Sequence, residues 1–392
     1  MHIMNQQQIT LVSHAILAAV IGLMPALLIV DAALNKELRV AQIVSWVFGC
    51  YVFAGLIGMV LSWRTKLPIC GSHSVPVAVL LGTALAPFSI AEAAGSYMLA
   101  GLCMLLLGLT GQFYKIVRYI PIEIVMAMFA GTMMHYALGI IFITREHVWL
   151  GALALMGYLL FYRFLPSVPA PLGAILAGGV AAFFLGDFQS LAWGTWQLPA
   201  PVIPEFSWHG FVSLTIPIVL LVLGTEGIQG VSGLRLGGYE PPVNRMVATS
   251  GVGTILAAVF GGHSANTAGI MTTVCAGPET VPAEERFKAA FLAGMILLAF
   301  GLSASVLIPW IVSLPRYVIH LFNGFALIPV LIQALKISFQ DSRYVLSPFA
   351  SFVFSLSGVS FFGIHATLWA LILGVTLMWF LERKKGEKIE RI

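Results

Sequence analysis

The chain has 392 residues, of which 59% are hydrophobic and only 9% charged, and its mean hydropathy is +0.96. A soluble domain has roughly 25% charged residues because water must wet its surface. The composition therefore excludes a soluble enzyme, a nucleic-acid-binding protein and a disordered chain, and it predicts an outer surface that faces lipid. The net charge of +4 comes largely from short loops and the C-terminal tail, which indicates membrane orientation rather than nucleic-acid affinity.

Apolar segments that could cross a membrane recur along the whole chain. A helix needs about 20 apolar residues to span the hydrocarbon core. Twelve segments are predicted as full crossings: residues 10–34, 40–63, 91–112, 120–142, 147–164, 169–186, 210–232, 244–261, 284–306, 316–336, 345–361 and 363–382. Two more, 67–87 and 261–277, are interrupted by glycine, proline or polar residues. Counting these two predicts an all-α polytopic membrane protein with fourteen transmembrane segments, of which segments 3 and 10 are broken into a short strand plus a half-helix.

The basic residues agree with this count. If both termini are cytoplasmic, sixteen of the 20 lysines and arginines fall in cytoplasmic loops or the tail, and only Lys36, Arg39, Arg145 and Arg316 fall outside. Cytoplasmic loops of membrane proteins carry the excess of positive charge. The sequence therefore predicts cytoplasmic termini. Residues 1–8 contain no basic region and no small-residue cleavage site, so the first crossing is expected to be retained rather than cleaved as a signal peptide.

Short matches relate the two halves of the chain. Leu-Ala-Gly followed by Gly-Leu begins at residue 99 and again at residue 292, and Phe-x-Gly begins at residue 129 and again at residue 322, so both pairs lie 193 residues apart. Gly71–Ser74 also resembles Gly261–Ser264, at an offset of 190. A unit of seven crossings, an odd number, gives the second copy the opposite orientation. Such inverted repeats occur in secondary transporters, where paired broken segments point to a binding site at the membrane midplane.

The broken segments predict a polar site inside the membrane. Non-helical backbone at this depth is tolerated only when it is buried in protein or lines a wet cavity. We expect residues 67–72 and 261–264 to pair as extended pieces, with half-helices starting near Ser74 and Asn266 whose N-termini together attract an anion. The alternative is that glycine and proline only kink ordinary helices, and the polar residues of the two segments oppose it. These residues are Ser72, His73, Ser74, His263, Ser264, Asn266 and Thr267.

Glu226 stands within the apolar stretch of the eighth predicted crossing. A charged carboxylate inside the membrane costs several kcal/mol, so intramembrane acids are functional candidates by default. We therefore predict that Glu226 carries a coupling proton. The alternative is that its helix ends early and leaves Glu226 at the membrane surface, before Arg235. His73 and His263 either contact the substrate or only hold the broken segments together by hydrogen bonds.

One motif suggests a different class of protein. Gly230–Gly233 fits the pattern around the serine of intramembrane serine proteases, with His365 as its conceivable base. Ser232 lies close to Arg235 at the predicted end of its crossing, and an internal repeat is more typical of a carrier. The chain has no phosphate-binding G-x-x-x-x-G-K-[ST] loop and no H-E-x-x-H zinc motif, and its four cysteines are widely spaced. We predict no cofactor, no metal site and no enzymatic activity.

Three stretches make the chain resemble the benzoate:proton symporter family of bacterial inner membranes, namely residues 68–74, 224–229 and 261–269. The resemblance covers essentially the whole chain, and the family is similar in plan to the nucleobase:cation symporters. That likeness implies two domains and a tail. The implied ranges are a core domain of 1–112 and 205–307, a gate domain of 113–190 and 308–382, and a cytoplasmic tail of 383–392.

The resemblance also implies a site and a substrate. The substrate would lie between crossings 3, 8 and 10, beside Glu226 and the seven polar residues of the broken segments. Nucleobase carriers usually have a second acid on crossing 10, which residues 264–271 lack, and this departure favours an anionic substrate. The family likeness therefore implies proton-coupled import of an aromatic carboxylate, benzoate, by alternating access, with lipid around the protein, no nucleic-acid partner and a homodimer formed through the gate domain. Carriers or exchangers of another small anion, or of a nucleobase, remain open as alternatives.

Overall fold

The computed structural model describes residues 6–113, 121–186, 194–196, 198–277, 281–361 and 364–382. Most of these residues are helical. The helices of the first half are α1 (Gln6–Leu23), α2 (Ala26–Asn35), α3 (Val40–Thr65), α4 (Val75–Ala84), α5 (Ile90–Thr110), α6 (Ile122–Glu146), α7 (Val148–Phe164) and α8 (Ala170–Phe184). Those of the second half are α9 (Trp208–Leu236), α10 (Val243–Ala258), α11 (Gly269–Ala276), α12 (Phe287–Leu302), α13 (Ala304–Val312), α14 (Arg316–Ser338), α15 (Leu346–Ser357) and α16 (Ala366–Leu377). The predicted tail at 383–392 lies outside the described residues.

Long apolar helices make this a multi-pass membrane protein, as the composition predicted. Six helices among the described residues are long and apolar enough to cross a membrane, and α12 with α13 would make a seventh. Large apolar side chains also cover the outer surface: Phe184 is 81% exposed and Leu109 is 70% exposed. Such a surface is stable in lipid and not in water.

Three predicted crossings differ from the helices that form. The crossing predicted at 284–306 ends at Leu302, where the chain bends by 69° into α13, a helix that the sequence did not predict. The segments 345–361 and 363–382 contain helices of only 12 residues each, the second continuing in one π-helical turn to Glu382. A 12-residue α-helix is about 18 Å long, which is shorter than the hydrocarbon core. Gly358 ends α15 because its φ of +64° cannot continue the helix.

The broken segments do contain paired strands, but in a register that the sequence did not predict. Strand β1 (Gly71–Ser72) is antiparallel to β2 (Asn266–Thr267), with Gly71 opposite Thr267. Residues 261–264 therefore precede the pairing strand instead of forming it. The half-helices α4 and α11 begin at Val75 and Gly269, 194 residues apart. This spacing agrees with the offset of 193 seen elsewhere and not with the offset of 190 that aligned the two histidines.

Helix α3 packs directly on β1, which explains the glycines at this point. A Cβ atom at Gly71 would overlap the carbonyl oxygen of Ala54, and one at Gly58 would overlap the backbone of Gly71. Close backbone approach of this kind requires a residue without a side chain. Beyond this contact, α3 packs mainly against α12, α5 against α10, and α6 against α14 and α15.

Candidate functional site

Glu226 lies inside the protein next to both half-helices. It sits in a π-helical turn, Val222–Gly227, within the long helix α9, and its side chain is partly exposed. Its Oε2 accepts a hydrogen bond of 2.9 Å from the backbone N–H of Gly269, the first residue of α11. The backbone N–H of Val75, the first residue of α4, also interacts with this carboxyl group. The carboxyl group of Glu226 therefore lies where the N-termini of α4 and α11 converge.

The start of α11 explains why Glu226 can take this position. The helix begins at Gly269, three residues after the predicted start near Asn266, and the residue before it is Ala268, whose side chain cannot accept a hydrogen bond. A Cβ atom at Gly269 would overlap the side chain of Gln229, so glycine allows α9 and α11 to approach closely. A carboxylate at a helix N-terminus typically contributes about 0.3–1 kcal/mol, and more when partly buried. Glu226 supplies from another helix the cap that α11 lacks.

The first half-helix follows the prediction more closely. Ser74 is the N-cap of α4, and its hydroxyl accepts a hydrogen bond from the N–H of Val77 at 3.5 Å. Pro76 stands in the first turn, where its missing N–H leaves no gap in the helix hydrogen bonds. This confirms the predicted start of the half-helix near Ser74.

Two backbone N–H groups of the broken segments donate to hydroxyl groups of the protein. The N–H of Ser74 donates to Ser264 Oγ at 2.8 Å, and the N–H of Thr267 donates to Ser250 Oγ at 3.0 Å. Buried backbone donors are nearly always paired in this way. The donors that face Glu226 are instead those of Val75 and Gly269, one position inside each half-helix. The N–H groups of Ser74 and Thr267 therefore already have acceptors within the protein.

Two hydroxyl groups of α10 were missed by the sequence analysis. Besides the bond from Ser250 to the second broken segment, Thr254 Oγ1 accepts a hydrogen bond of 3.2 Å from the N–H of Ala265. The two residues are four apart and both are buried, so they lie on the same face of α10. A serine and a threonine four residues apart in an apolar helix are the sequence feature that could have identified this contact.

His263 is held by partners that fix its proton. The indole N–H of Trp46 donates to His263 Nδ1 at 3.0 Å, and His263 Nε2 lies 3.2 Å from the carbonyl oxygen of Ser74. An indole nitrogen can only donate, so Nδ1 is the acceptor and Nε2 carries the hydrogen. His263 is 0% exposed and links α3 to both broken segments.

His73 has a similar environment on the other side of the crossing. Its Nε2 lies 3.1 Å from the hydroxyl of Tyr51, which in turn donates to the carbonyl of Gly22 at 3.0 Å. The His73 and His263 rings meet edge to face, with centroids 5.2 Å apart. The geometry brings the two predicted histidines together and gives both of them protein partners.

A narrow cavity opens beside the Glu226 turn and reaches the second broken segment. It is lined by apolar side chains together with two hydroxyl groups and one aromatic ring. Its lining includes Phe113, Val222, Gly227, Val231, Ser250 and Thr267. Phe113 supplies the aromatic ring of this lining, and its ring lies 3.8 Å from the position that a Cβ of Gly227 would take. No feature of the sequence indicated the position of this residue.

The protease motif has no matching geometry. Ser232 is exposed on α9, whereas His365 is the N-cap of α16 and bonds the backbone and hydroxyl of Thr367. The ring is therefore engaged in a local helix cap.

A helical membrane protein in which two half-helices start at paired strands beside a glutamate carboxyl group has the construction of a secondary transporter. The chain belongs to the benzoate membrane transport protein family, whose model matches residues 5–380. It is thus a membrane transporter and not an enzyme. The Benzoate membrane transport protein of Acinetobacter baylyi is 27% identical over 365 residues, covering 92% of each chain. Inner membrane protein YdcO of Escherichia coli is 27% identical over 369 residues, covering 91% of this chain and 92% of that protein.

Solved structures share the fold. The transmembrane domain of the cyanobacterial bicarbonate transporter BicA matches with a TM-score of 0.63 and 19% identity, over 94% of this chain and 98% of that one. The structure of SLC26A9 matches with a TM-score of 0.68 and 13% identity, over 95% of this chain and 64% of that one. These matches correct the expected likeness to nucleobase:cation symporters: the fold resembles the structures of BicA and SLC26A9.

Proposed function

We propose that this chain is a secondary active transporter of the bacterial inner membrane that imports an aromatic carboxylate, benzoate, together with protons. The observation that carries the proposal is the hydrogen bond from the Gly269 N–H to the Glu226 carboxyl group, at the start of a half-helix. Support for the substrate comes from the benzoate transport named for the Acinetobacter baylyi relative. Support for the inner membrane comes from the name of the Escherichia coli relative.

In this proposal proton and substrate are coupled because the carboxylate of Glu226 and that of the substrate compete for the same helix N-termini. The N-termini of α4 and α11 favour one negative charge between them. An ionised Glu226 supplies that charge itself, and a second carboxylate beside it is repelled. When Glu226 takes up a proton, the donors of Val75 and Gly269 become available to the carboxylate of the substrate. Proton and substrate anion are then bound together, and the occupied site carries no excess charge to resist movement through the membrane.

The other predicted residues have supporting and orienting roles in this proposal. Ser74 and Ser264 hold the two broken segments against each other, and His73 and His263 fix them to α3. Asn266 Oδ1 is buried without a hydrogen-bond partner among the described residues, so it can accept from a water or a protonated group at the site. Ser72 and Thr267 complete the polar surface. Phe113 offers an aromatic contact for the ring of the substrate.

The fourteen segments are proposed to form a seven-plus-seven inverted repeat. In such a repeat the contact of crossing 2 with crossing 11 is equivalent to that of crossing 4 with crossing 9, and α3 does pack on α12 as α5 packs on α10. Repeat-related glycines support this: a Cβ at Gly101 would overlap α10, and one at Gly294 would overlap α3. Both termini are proposed to be cytoplasmic.

The core domain is proposed to comprise crossings 1–4 and 8–11, and the gate domain crossings 5–7 and 12–14. Helix α6 of the gate covers the site, since a Cβ at Gly224 would lie 3.3 Å from Val125 of α6. Movement of the core past α6 would open the site to each side in turn. The gate domains of two copies are proposed to form a homodimer.

A direct test uses purified protein in proteoliposomes that contain a pH-sensitive dye. Protein-free liposomes measure how much benzoic acid crosses the lipid by itself. The proposal predicts protein-dependent benzoate uptake that is driven by an inward proton gradient and acidifies the lumen. The second candidate function is an anion exchanger, because the fold of this chain resembles that of BicA. Uptake that does not depend on the proton gradient and is stimulated by internal bicarbonate would support it. Uptake of uracil in place of benzoate would support a nucleobase carrier.

A further inference from the structure

A second group of titratable side chains lies where α2 meets α6 and α14, apart from the Glu226 site. Asp31 is the one charged residue of α2 and is only 5% exposed. The Nδ1 atom of His320, on α14, lies 3.5 Å from Asp31 Oδ2. A buried carboxylate in a membrane protein is costly unless it is paired or protonated. This acid was not recognised in the sequence.

Helix α6 adds two more groups to the cluster. The ring of Tyr136 stacks on that of His320, with centroids 4.9 Å apart, and its hydroxyl interacts with the Asp31 carboxyl group. The ring of His135 lies 6.4 Å from that of His320. The helices α4 and α13 also pack against α2 and contain no titratable side chain, and Tyr51 of α3 faces His73 instead.

A second polar contact ties the same two helices together. Asn323, one turn after His320 on α14, donates to the carbonyl oxygen of Leu27 at 3.2 Å, and Leu27 is one turn before Asp31 on α2. The ring of His320 fits because Gly139 of α6 has no Cβ in its way. In the proposed division, α2 belongs to the core and α6 and α14 to the gate. The cluster therefore bridges the two parts that move past each other.

The cluster is incomplete as it stands. Asp31 Oδ2 and the hydroxyl of Tyr136 are both buried without a hydrogen bond of good geometry among the described residues. A proton on His320 turns the contact with Asp31 into an ion pair and satisfies the buried charge. Without that proton the carboxylate has only neutral neighbours, and the association of α2 with α14 is weakened.

We propose that Asp31, His320 and Tyr136 form a second proton-binding site, which ties α2 to α14 when His320 is protonated. The proposal uses the division into core and gate from the proposed function, and it does not depend on Glu226. The site binds only a proton, and it lies where α2 meets α6 and α14.

The test measures amide hydrogen exchange of α2 and α14 in protein reconstituted in lipid nanodiscs, at an acidic and at an alkaline pH. After correction for the intrinsic effect of pH, wild-type exchange in these helices should be at least about fivefold slower at the acidic pH. His320→Gln and Asp31→Asn should lose this difference. The control variant is His147→Gln, because the ring of His147 stacks on Tyr317 near the start of α14. This variant should keep the pH-dependent difference in exchange.

The outcome can be read separately from the proposed function. Glu226→Gln should retain the pH-dependent protection even if it abolishes coupling. Equal pH dependence in wild type and in a folded His320→Gln variant would overturn the proposal. If Asp31→Asn does not fold, His320→Gln alone carries the test, because its partly exposed side chain tolerates a neutral amide.

Discussion

Glu226 of α9 caps the N-terminus of α11 through the N–H of Gly269, at 2.9 Å. A cap normally comes from the residue before the helix, but here Ala268 has no polar side chain. The helix end is thus stabilised by a group that can gain or lose a proton. This gives a physical link between protonation and the donors that an anionic substrate would use.

Gly269→Ala tests the close approach of α9 and α11. The added methyl group would overlap Gln229 and push α11 away from Glu226. Overpacking of this kind costs about 1–3 kcal/mol, so we expect benzoate transport to fall about tenfold or more. Initial uptake rates in proteoliposomes measure it. Gly179→Ala is the matched control, because nothing lies within 4 Å of its Cβ position, and equal loss in both variants would contradict the assignment.

Trp46→Phe tests whether His263 is structural. The variant removes the indole donor and leaves the buried Nδ1 of His263 only the weak thiol donor of Cys50 at 3.4 Å, so we expect a cost of about 1 kcal/mol of stability. We expect a lower thermal unfolding midpoint in detergent, with the proton dependence of the remaining transport unchanged. Trp149→Phe, at a side chain that is 71% exposed, should leave the midpoint unchanged. A changed proton dependence in Trp46→Phe would instead place His263 in the transport chemistry.

Ser250→Ala removes a partner that holds the second broken segment. The N–H of Thr267 would lose its acceptor inside the protein, so both stability and transport should decline, by about 1–3 kcal/mol in the free energy of unfolding. Ser232→Ala is a matched serine on the neighbouring helix α9 and is exposed. It should behave as wild type in unfolding and in uptake, and a loss confined to Ser232→Ala would be inconsistent with the site described above.

Phe113→Ala tests the aromatic contact. Loss of one aromatic pair costs about 0.5–1.5 kcal/mol beyond the buried area, so the KM for benzoate should rise up to about tenfold. The number of protons moved with each benzoate should stay the same. Phe184→Ala, on the exposed end of α8, should not change KM. An unchanged KM in Phe113→Ala would mean that the ring of the substrate does not contact Phe113.

The sequence predicted those parts of the site that depend on local pattern. Ser74 followed by Pro76 is a local signal for a helix start, and a glutamate in an apolar stretch is conspicuous wherever it lies. The strand register was mispredicted because the half-helix was expected to start near Asn266, whereas Asn266 lies in β2 and the cap of α11 comes from Glu226 on another helix. Asp31 was overlooked because its partner His320 lies in the other half of the chain, and only the packing of α2 on α14 brings them together.

The central claim is that an ionised Glu226 and the carboxylate of the substrate exclude each other at the start of α11. It is tested most directly by measuring proton uptake when benzoate is added to purified protein in a weakly buffered solution near neutral pH. The account predicts that binding takes up a proton in wild type, and that Glu226→Gln binds benzoate without taking up a proton. Glu92→Gln, which changes only an exposed cap with Ser89, should resemble wild type. Benzoate binding with no proton uptake in wild type, or with undiminished uptake in Glu226→Gln, would contradict it.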